Sequence, residues 1–359
     1  MKKFNIMLIA GAAMISFAAC DDAPETAIPQ ENQQPPMLTA ADIEISTTGD
    51  IAAGALDLAP LVNDRQDSVA LLSIDRCDNL AEGYSLVPVV QISGTDDFAS
   101  KASISCHVRG TTAYAAISDI NSAYAAVFGY HNTPEKVYAR VLATTEYEGS
   151  EGTAVSVVGS DTQFYAPSQF TLTPDLMLNL YVPMGANDFD IAKAQALQTN
   201  DGVNYWGYVN VTSEFYFSNG RQGELMRRWD SGGEVLSGNP IGIRIDATGC
   251  VWIAYNISSG AISSKAITTY GVIGDLPGNN WGTSVPLTQT TDPLVWKGDV
   301  TFGTGQWKFR ANDGWDFNLG GDKANLLPGG DNIDSPGAGT YTVTLDLSKV
   351  PYSTTLVKK

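Results

Sequence analysis

Trp281, Trp296, Trp307 and Trp315 fall within 35 residues, and Lys308, Arg310, Asn312 and Asp313 lie between the last two. Such a set is suited to non-covalent recognition of a sugar. The C–H face of a pyranose is apolar and stacks on a flat indole, while charged and amide groups beside the ring bond its hydroxyls. Strand alternation through Trp307-Lys308-Phe309-Arg310 places Trp307 and Phe309 on one face and Lys308 and Arg310 on the other. Trp307 is expected in the core, which leaves the basic pair exposed.

Covalent chemistry is less well supplied. Asp313, Asp316, Asp322 and Asp331 crowd the same stretch and could form the two-carboxylate site of a glycoside hydrolase. Carboxylates in turns beside glycines are ordinarily solvated turn residues, however. No nucleophile elbow, zinc-helix motif or phosphate loop occurs. The segment from Asp313 to Asp322 faintly resembles a calcium loop and lacks its closing glutamate. His107 and His131, at a strand end and in a turn, read as structural. Cys77, Cys106 and Cys250 have no zinc-ligand spacing. Cys77 and Cys106 either pair in an oxidising compartment or stay as buried thiols, and Cys250 packs as a small apolar residue. The chain is therefore expected to be non-enzymatic, with no cofactor and no metal.

The elements that position these residues come from a duplication. Trp206 and Trp296 stand ninety positions apart, as do Gly249 and Gly339. Each glycine opens an alternating strand, Val251 to Ile257 and Tyr341 to Leu347. Glu214-Phe215-Tyr216-Phe217 in one copy answers Gln306-Trp307-Lys308-Phe309-Arg310 in the other. A shared order at a fixed period indicates two tandem modules, 173–265 and 266–359, each long enough for a seven- or eight-strand sandwich. The first copy has Tyr216 where Lys308 stands and Ser218 where Arg310 stands. Trp206, Tyr208, Tyr216 and Trp229 remain candidates for stacking there, with Arg227 and Arg228 as donors, and the module is either a weaker binder or a spacer.

Ahead of the repeats, residues 38–172 alternate as an antiparallel sandwich. Strands are predicted at Ser68 to Ile74, Tyr84 to Ser93, Ala102 to Val108, Lys136 to Glu146 and Thr153 to Val158. One helix interrupts them, with Ile117, Ile120, Tyr124, Val127 and Phe128 on one face and Gly129 as its stop. The stretch Pro167 to Pro174 reads as a linker. The fold class predicted is all-β: three tandem immunoglobulin-like β-sandwiches, the first carrying one short helix.

The amino terminus bears on location. Lys2 and Lys3 precede the apolar run Ile6 to Phe17, which ends in Ala18-Ala19-Cys20. Residues 1–19 look like a lipoprotein signal peptide, and Cys20 would then carry the lipid that holds the chain at a bilayer. Residues 20–37, with Asp21-Asp22, Glu25 and several Pro and Gln, form a solvated tether. Asp21-Asp22 resemble the acidic tether of surface lipoproteins of Bacteroidota, which implies an outer-membrane, surface-exposed location. The formal charge of −18 becomes two units more negative once Lys2 and Lys3 are removed. Such a surface repels phosphate backbones, so a nucleic-acid partner is not expected, whereas a neutral polysaccharide is permitted.

Gly274-Asp275-Leu276-Pro277-Gly278-Asn279-Asn280-Trp281, Trp307 through Trp315, Asn318-Leu319-Gly320-Gly321, Gly329-Gly330-Asp331-Asn332-Ile333 and Gly339-Thr340-Tyr341 follow one another in an order that resembles the starch-binding modules of the SusE and SusF lipoproteins. The amino-terminal part is similar more loosely, in the helix ending Phe128-Gly129 and in Val137-Tyr138-Ala139-Arg140-Val141. The resemblance implies a non-catalytic protein that holds α-glucan near a SusC/SusD-type importer. It also implies that Trp281 and Trp296 form the aromatic platform, that Lys308, Arg310 and Asn312 bond sugar hydroxyls, and that Trp315 is a second platform or a loop anchor.

Overall fold

The computed structural model describes residues 41–80, 82–148, 154–157, 163–220, 225–226 and 242–359. The leader, Cys20, the tether and the trio Arg227, Arg228 and Trp229 lie outside these residues. The chain is all-β, as its alternation predicts. Among the described residues no helix is long and apolar enough to cross a membrane.

The first sheet runs, in spatial order, Ile43–Thr47, Ser68–Cys77, Thr112–Ala116, Lys101–Arg109, Tyr84–Ser93, Glu135–Glu148, Gln163–Thr173 and Ala55–Asp57, with Ala154–Val157 added beside Glu135–Glu148. The strand Lys101–Arg109 turns the corner between layers. Its first half pairs with Tyr84–Ser93 and its second half with Thr112–Ala116. The helix Ile117–Phe128 buries Ile117, Ile120, Ala123 and Tyr124 against this sheet. It stops at Gly129, whose φ of 96° few other residues adopt. Two further short helices, Gly49–Ala52 and Leu58–Asn63, were not expected. They are too short to show a helical period. The second is started by Asp57, whose side chain accepts from the Ala59 N–H.

The expected linker at Pro167 to Pro174 is a correction. Most of it belongs to the strand Gln163–Thr173, and Pro167 falls at a register shift opposite Arg140, where a missing N–H is tolerated. The chain leaves the sheet only after Thr173, and two asparagines grip it there. Asn121 bonds both backbone groups of Asp175 at 2.9 and 3.0 Å, and Asn132 bonds both of Leu176 at 2.8 and 2.9 Å. Each side-chain amide thus imitates a neighbouring strand.

The second sheet orders as Leu225–Met226, Phe217–Ser218, Asn179–Val182, Gln195–Gln198, Asn204–Val211, Gly249–Asn256 and Ile262–Ala266. The main path of the third is Asn325–Pro328, Asn318–Asp322, Gln306–Ala311, Tyr270–Leu276, Val285–Gln289, Val295–Phe302, Gly339–Asp346 and Ser353–Lys358. One face of the second sheet buries Leu180, Tyr205, Val209, Phe217 and Ile253 in a core of its own. Tyr208 and Cys250 point the other way and join the core of the third sheet, among Tyr270, Trp296 and Tyr352. The Tyr208 ring meets Tyr352 at 5.3 Å and Tyr270 at 6.1 Å, both edge to face. Burial pushes all three phenols above their ordinary range and the Cys250 thiol up to about 12. These groups are therefore neutral packing residues. Cys77, Cys106 and Cys250 are free thiols.

Candidate functional site

The strand Gln306–Ala311 sorts its side chains as alternation requires. Trp307 and Phe309 are fully buried and in ring contact at 5.0 Å, and Lys308 and Arg310 take the opposite face. On the neighbouring strand, Gly271 lies directly across from Arg310. A Cβ on Gly271 would come within 2.7 Å of Ser284 and 2.9 Å of the Val285 carbonyl, so only glycine leaves this ground open.

Two loops lift indoles above that face. The turn after the strand places Asn312 and Asp313 at φ of 49° and 51° and carries Trp315 outward, 49% exposed. Trp281 sits at φ of 58° in the loop before Val285–Gln289, and its Nε1 donates to Asp275 Oδ1 at 2.7 Å. The other oxygen of Asp275 accepts the Gln306 N–H. The two indoles meet at a centroid distance of 6.2 Å and an interplanar angle of 30°, forming a shelf on the protein surface.

Polar groups fix the shelf from below. The Arg310 guanidinium lies 5.2 Å from the Trp315 ring centroid, donates from Nε to Ser284 at 3.0 Å and pairs with Asp313 at 3.5 Å. Lys308 Nζ donates to Asn318 Oδ1 at 3.0 Å, and Asn318 Nδ2 donates to the Trp315 carbonyl at 2.7 Å. Lys308 is half-buried and keeps further ammonium donors for a ligand. The arrangement can stack a sugar ring and donate to its hydroxyls. Asp275 and Asn318 hold the two indoles, and both fall in the motif segments quoted above without a role being assigned to either.

Several expected site residues are placed elsewhere. Trp296 is only 3% exposed, at 5.6 Å from Tyr270, and cannot serve as a platform. Its ninety-residue match to Trp206 is off by one in the ladder. Tyr205 lies opposite Tyr255 and Trp296 opposite Leu345, while Tyr255 and Leu345 are themselves ninety apart. Trp296 is thus the counterpart of buried Tyr205, and Trp206 is the counterpart of exposed Lys297. One residue of slip exchanges the faces of a strand. Arg310, at 8% exposure, acts as a support for Trp315.

Asn312 is turned onto the backbone of the preceding crossing. Its Oδ1 accepts from the N–H groups of Thr268 and Thr269 and the Thr268 hydroxyl, and its Nδ2 donates to the Ala266 carbonyl. It pins the crossing between the second and third sheets. Among the weaker candidates, Tyr208 and Tyr216 are buried, the latter against Phe189 at 4.8 Å. Trp206 is half-buried on the face of the second sheet that carries Tyr208, against the core of the third. His131 contacts Tyr124 and the Phe128 carbonyl. Among the described residues no cluster of three or more His, Cys, Asp or Glu could hold a metal.

No family model matches the chain, and no curated protein matches it. Among solved structures it is similar to SusF from Bacteroides thetaiotaomicron, at 15% identity and a TM-score of 0.33, over 88% of this chain and 76% of that one.

Proposed function

We propose that this protein is a non-catalytic binder of neutral polysaccharide, with Trp281 and Trp315 as its stacking surface. The observation that carries this reading is the paired indoles at 6.2 Å, one of them half exposed, above Lys308 and Arg310. Stacking rings with donors at their edge suit a pyranose chain and need no charge on the ligand. The motif order from Gly274 to Tyr341, similar to starch-binding modules of SusE and SusF lipoproteins, favours an α-glucan. The leader and Cys20 favour a lipid anchor at the outer membrane, and the same resemblance favours a place near a SusC/SusD-type importer.

Asp275 accepts from the Trp281 Nε1–H and the Gln306 N–H, and Asp313 is exposed and paired with Arg310, which suits anchors of the shelf better than a general acid. Migration of the mature chain through native gels containing amylopectin, dextran, xylan or laminarin tests the reading. Retardation by amylopectin alone supports the α-glucan, and retardation by another polymer replaces the ligand and keeps the role. Unretarded migration in all four gels, or release of reducing sugar from any of them, overturns it.

A further inference from the structure

The second and third sheets enclose a cleft of about 570 Å³ whose lining includes neither Trp281 nor Trp315. Its floor is the face of the second sheet that also carries Tyr208 and Cys250 and turns toward the third sheet. Trp206 lies directly across from Ala254, and Trp252 is one alternation further along the same strand, so the small alanine leaves an apolar trough between the two indoles. Phe317, in the turn that leads into the strand Asn318–Asp322 of the third sheet, closes one end, edge to face with Trp252 at 5.2 Å, and Pro328 adds to that wall. Tyr352 stands behind Trp206 at 6.1 Å. The walls are fixed relative to each other, because Tyr208, Cys250 and Tyr352 share one core beside them.

The rim is polar. Asp316 and Ser263 line it, and neither side chain bonds to a protein group among the described residues. Asn204 and Asn256 also line it. Their amide nitrogens donate to Asp201 and Asn204 respectively, leaving one hydrogen on each for a ligand. No Lys, Arg or His lines the cleft, so its one charge is the Asp316 carboxylate. In a chain of formal charge −18, that lining rejects phosphates and acidic sugars. Its volume falls in the range that takes a small organic ligand, about 300–1,000 Å³.

We infer that this cleft is a second binding site for a short run of neutral sugar, with one ring stacked on Trp206 and a hydroxyl donated to Asp316. The site belongs to neither repeat alone: Trp206 and Trp252 come from the second sheet, Asp316 and Phe317 from the third. The inference rests on the carbohydrate reading above, and its test separates the two.

Affinity electrophoresis of the mature chain in the same four gels is run on Trp281→Ala/Trp315→Ala, on Trp206→Ala, on Asp316→Asn and on their combination. Thermal unfolding of each variant confirms the fold. With two sites, the shelf variant keeps part of its retardation, and Trp206→Ala weakens what remains by about tenfold or more, the size of one lost stacking ring. Asp316→Asn, an exposed change with little risk to folding, weakens it in the same polymer. If Trp206→Ala and Asp316→Asn leave retardation unchanged in both backgrounds, the second site is refuted and the shelf stands. Loss of all retardation with Trp206→Ala alone, together with no effect of the shelf variant, moves the function to the cleft and refutes the shelf. An unretarded wild-type chain refutes sugar as the ligand of either.

Discussion

The backbone N–H of Tyr208, in the second sheet, donates to the phenol oxygen of Tyr352, in the third, at 2.8 Å. Both residues are about 1% exposed, so the bond is sealed from water. Gly207, beside it, has no room for a side chain: a Cβ there would stand 2.9 Å from both the Tyr352 hydroxyl and the Ala196 carbonyl. Tyr352→Phe keeps the ring and strands a buried N–H, which costs about 1–3 kcal/mol. Urea unfolding should show this loss in a transition shared by the second and third sheets. A change confined to one of two separable transitions would contradict the shared core.

Trp315→Ala and Trp296→Ala should part company. The first removes a half-exposed ring and should weaken retention on the bound glucan by about 1–3 kcal/mol with stability nearly unchanged. The second empties a core position and should cost about 3–5 kcal/mol of stability. Its effect on retention should follow only the unfolded fraction. Equal losses of retention at full folding would return Trp296 to the site.

Arg310→Lys tests the support of the shelf. A lysine cannot hold Ser284, Asp313 and the Trp315 face together, because its ammonium is one point where the guanidinium is a plane. Retention should fall about five- to tenfold, the scale of a cation–π contact and a hydrogen bond. Asp313→Asn, which removes only an exposed partner, should change it by less than about threefold. The reverse ranking would make Asp313 the ligand-binding group.

Asp201 supplies a pH dependence. The Asn204 N–H donates to its Oδ1 at 2.7 Å and the Val203 N–H at 2.8 Å, and with the Asn204 and Thr199 side chains these bonds hold its carboxyl down at about 2. The folded value is depressed, so the stabilisation is complete above the ordinary value of about 4. It is lost as pH falls from there through about 2. Asp201→Asn should flatten that acid limb, lowering the melting temperature most at neutral pH and least near pH 2. Parallel limbs for the two proteins would show that Asp201 contributes nothing to it.

Much of the architecture was legible because burial on one face writes itself as alternation. Tyr84–Ser93 and the helix Ile117–Phe128 lie where their periods place them. The helix Leu58–Asn63 and the strand Ile43–Thr47 were missed, since elements this short carry too few turns of any period. The site was legible in its residue types and less so in their roles. Spacing in sequence measures distance along a strand and leaves open which face a residue takes. The ninety-residue interval joined Trp206 to Trp296, and the ladder joins Tyr205 to Trp296. Asn312 was expected to bond sugar hydroxyls because the resemblance implies it, yet its left-handed φ turns its amide onto residues 266–269. The contacts that decide such cases are long-range, and no local pattern encodes them.

The core that Tyr208 and Cys250 share with Tyr270, Trp296 and Tyr352 has a consequence for any exchange of the second and third sheets as separate pieces. Two copies joined by an open tether can be lost, multiplied or exchanged between genes. Once one copy seals the aromatic flank of the other, a break near residue 267 would bare Tyr208 on one fragment and Tyr270 on the other. Neither half can then be cut away without exposing buried rings of the other.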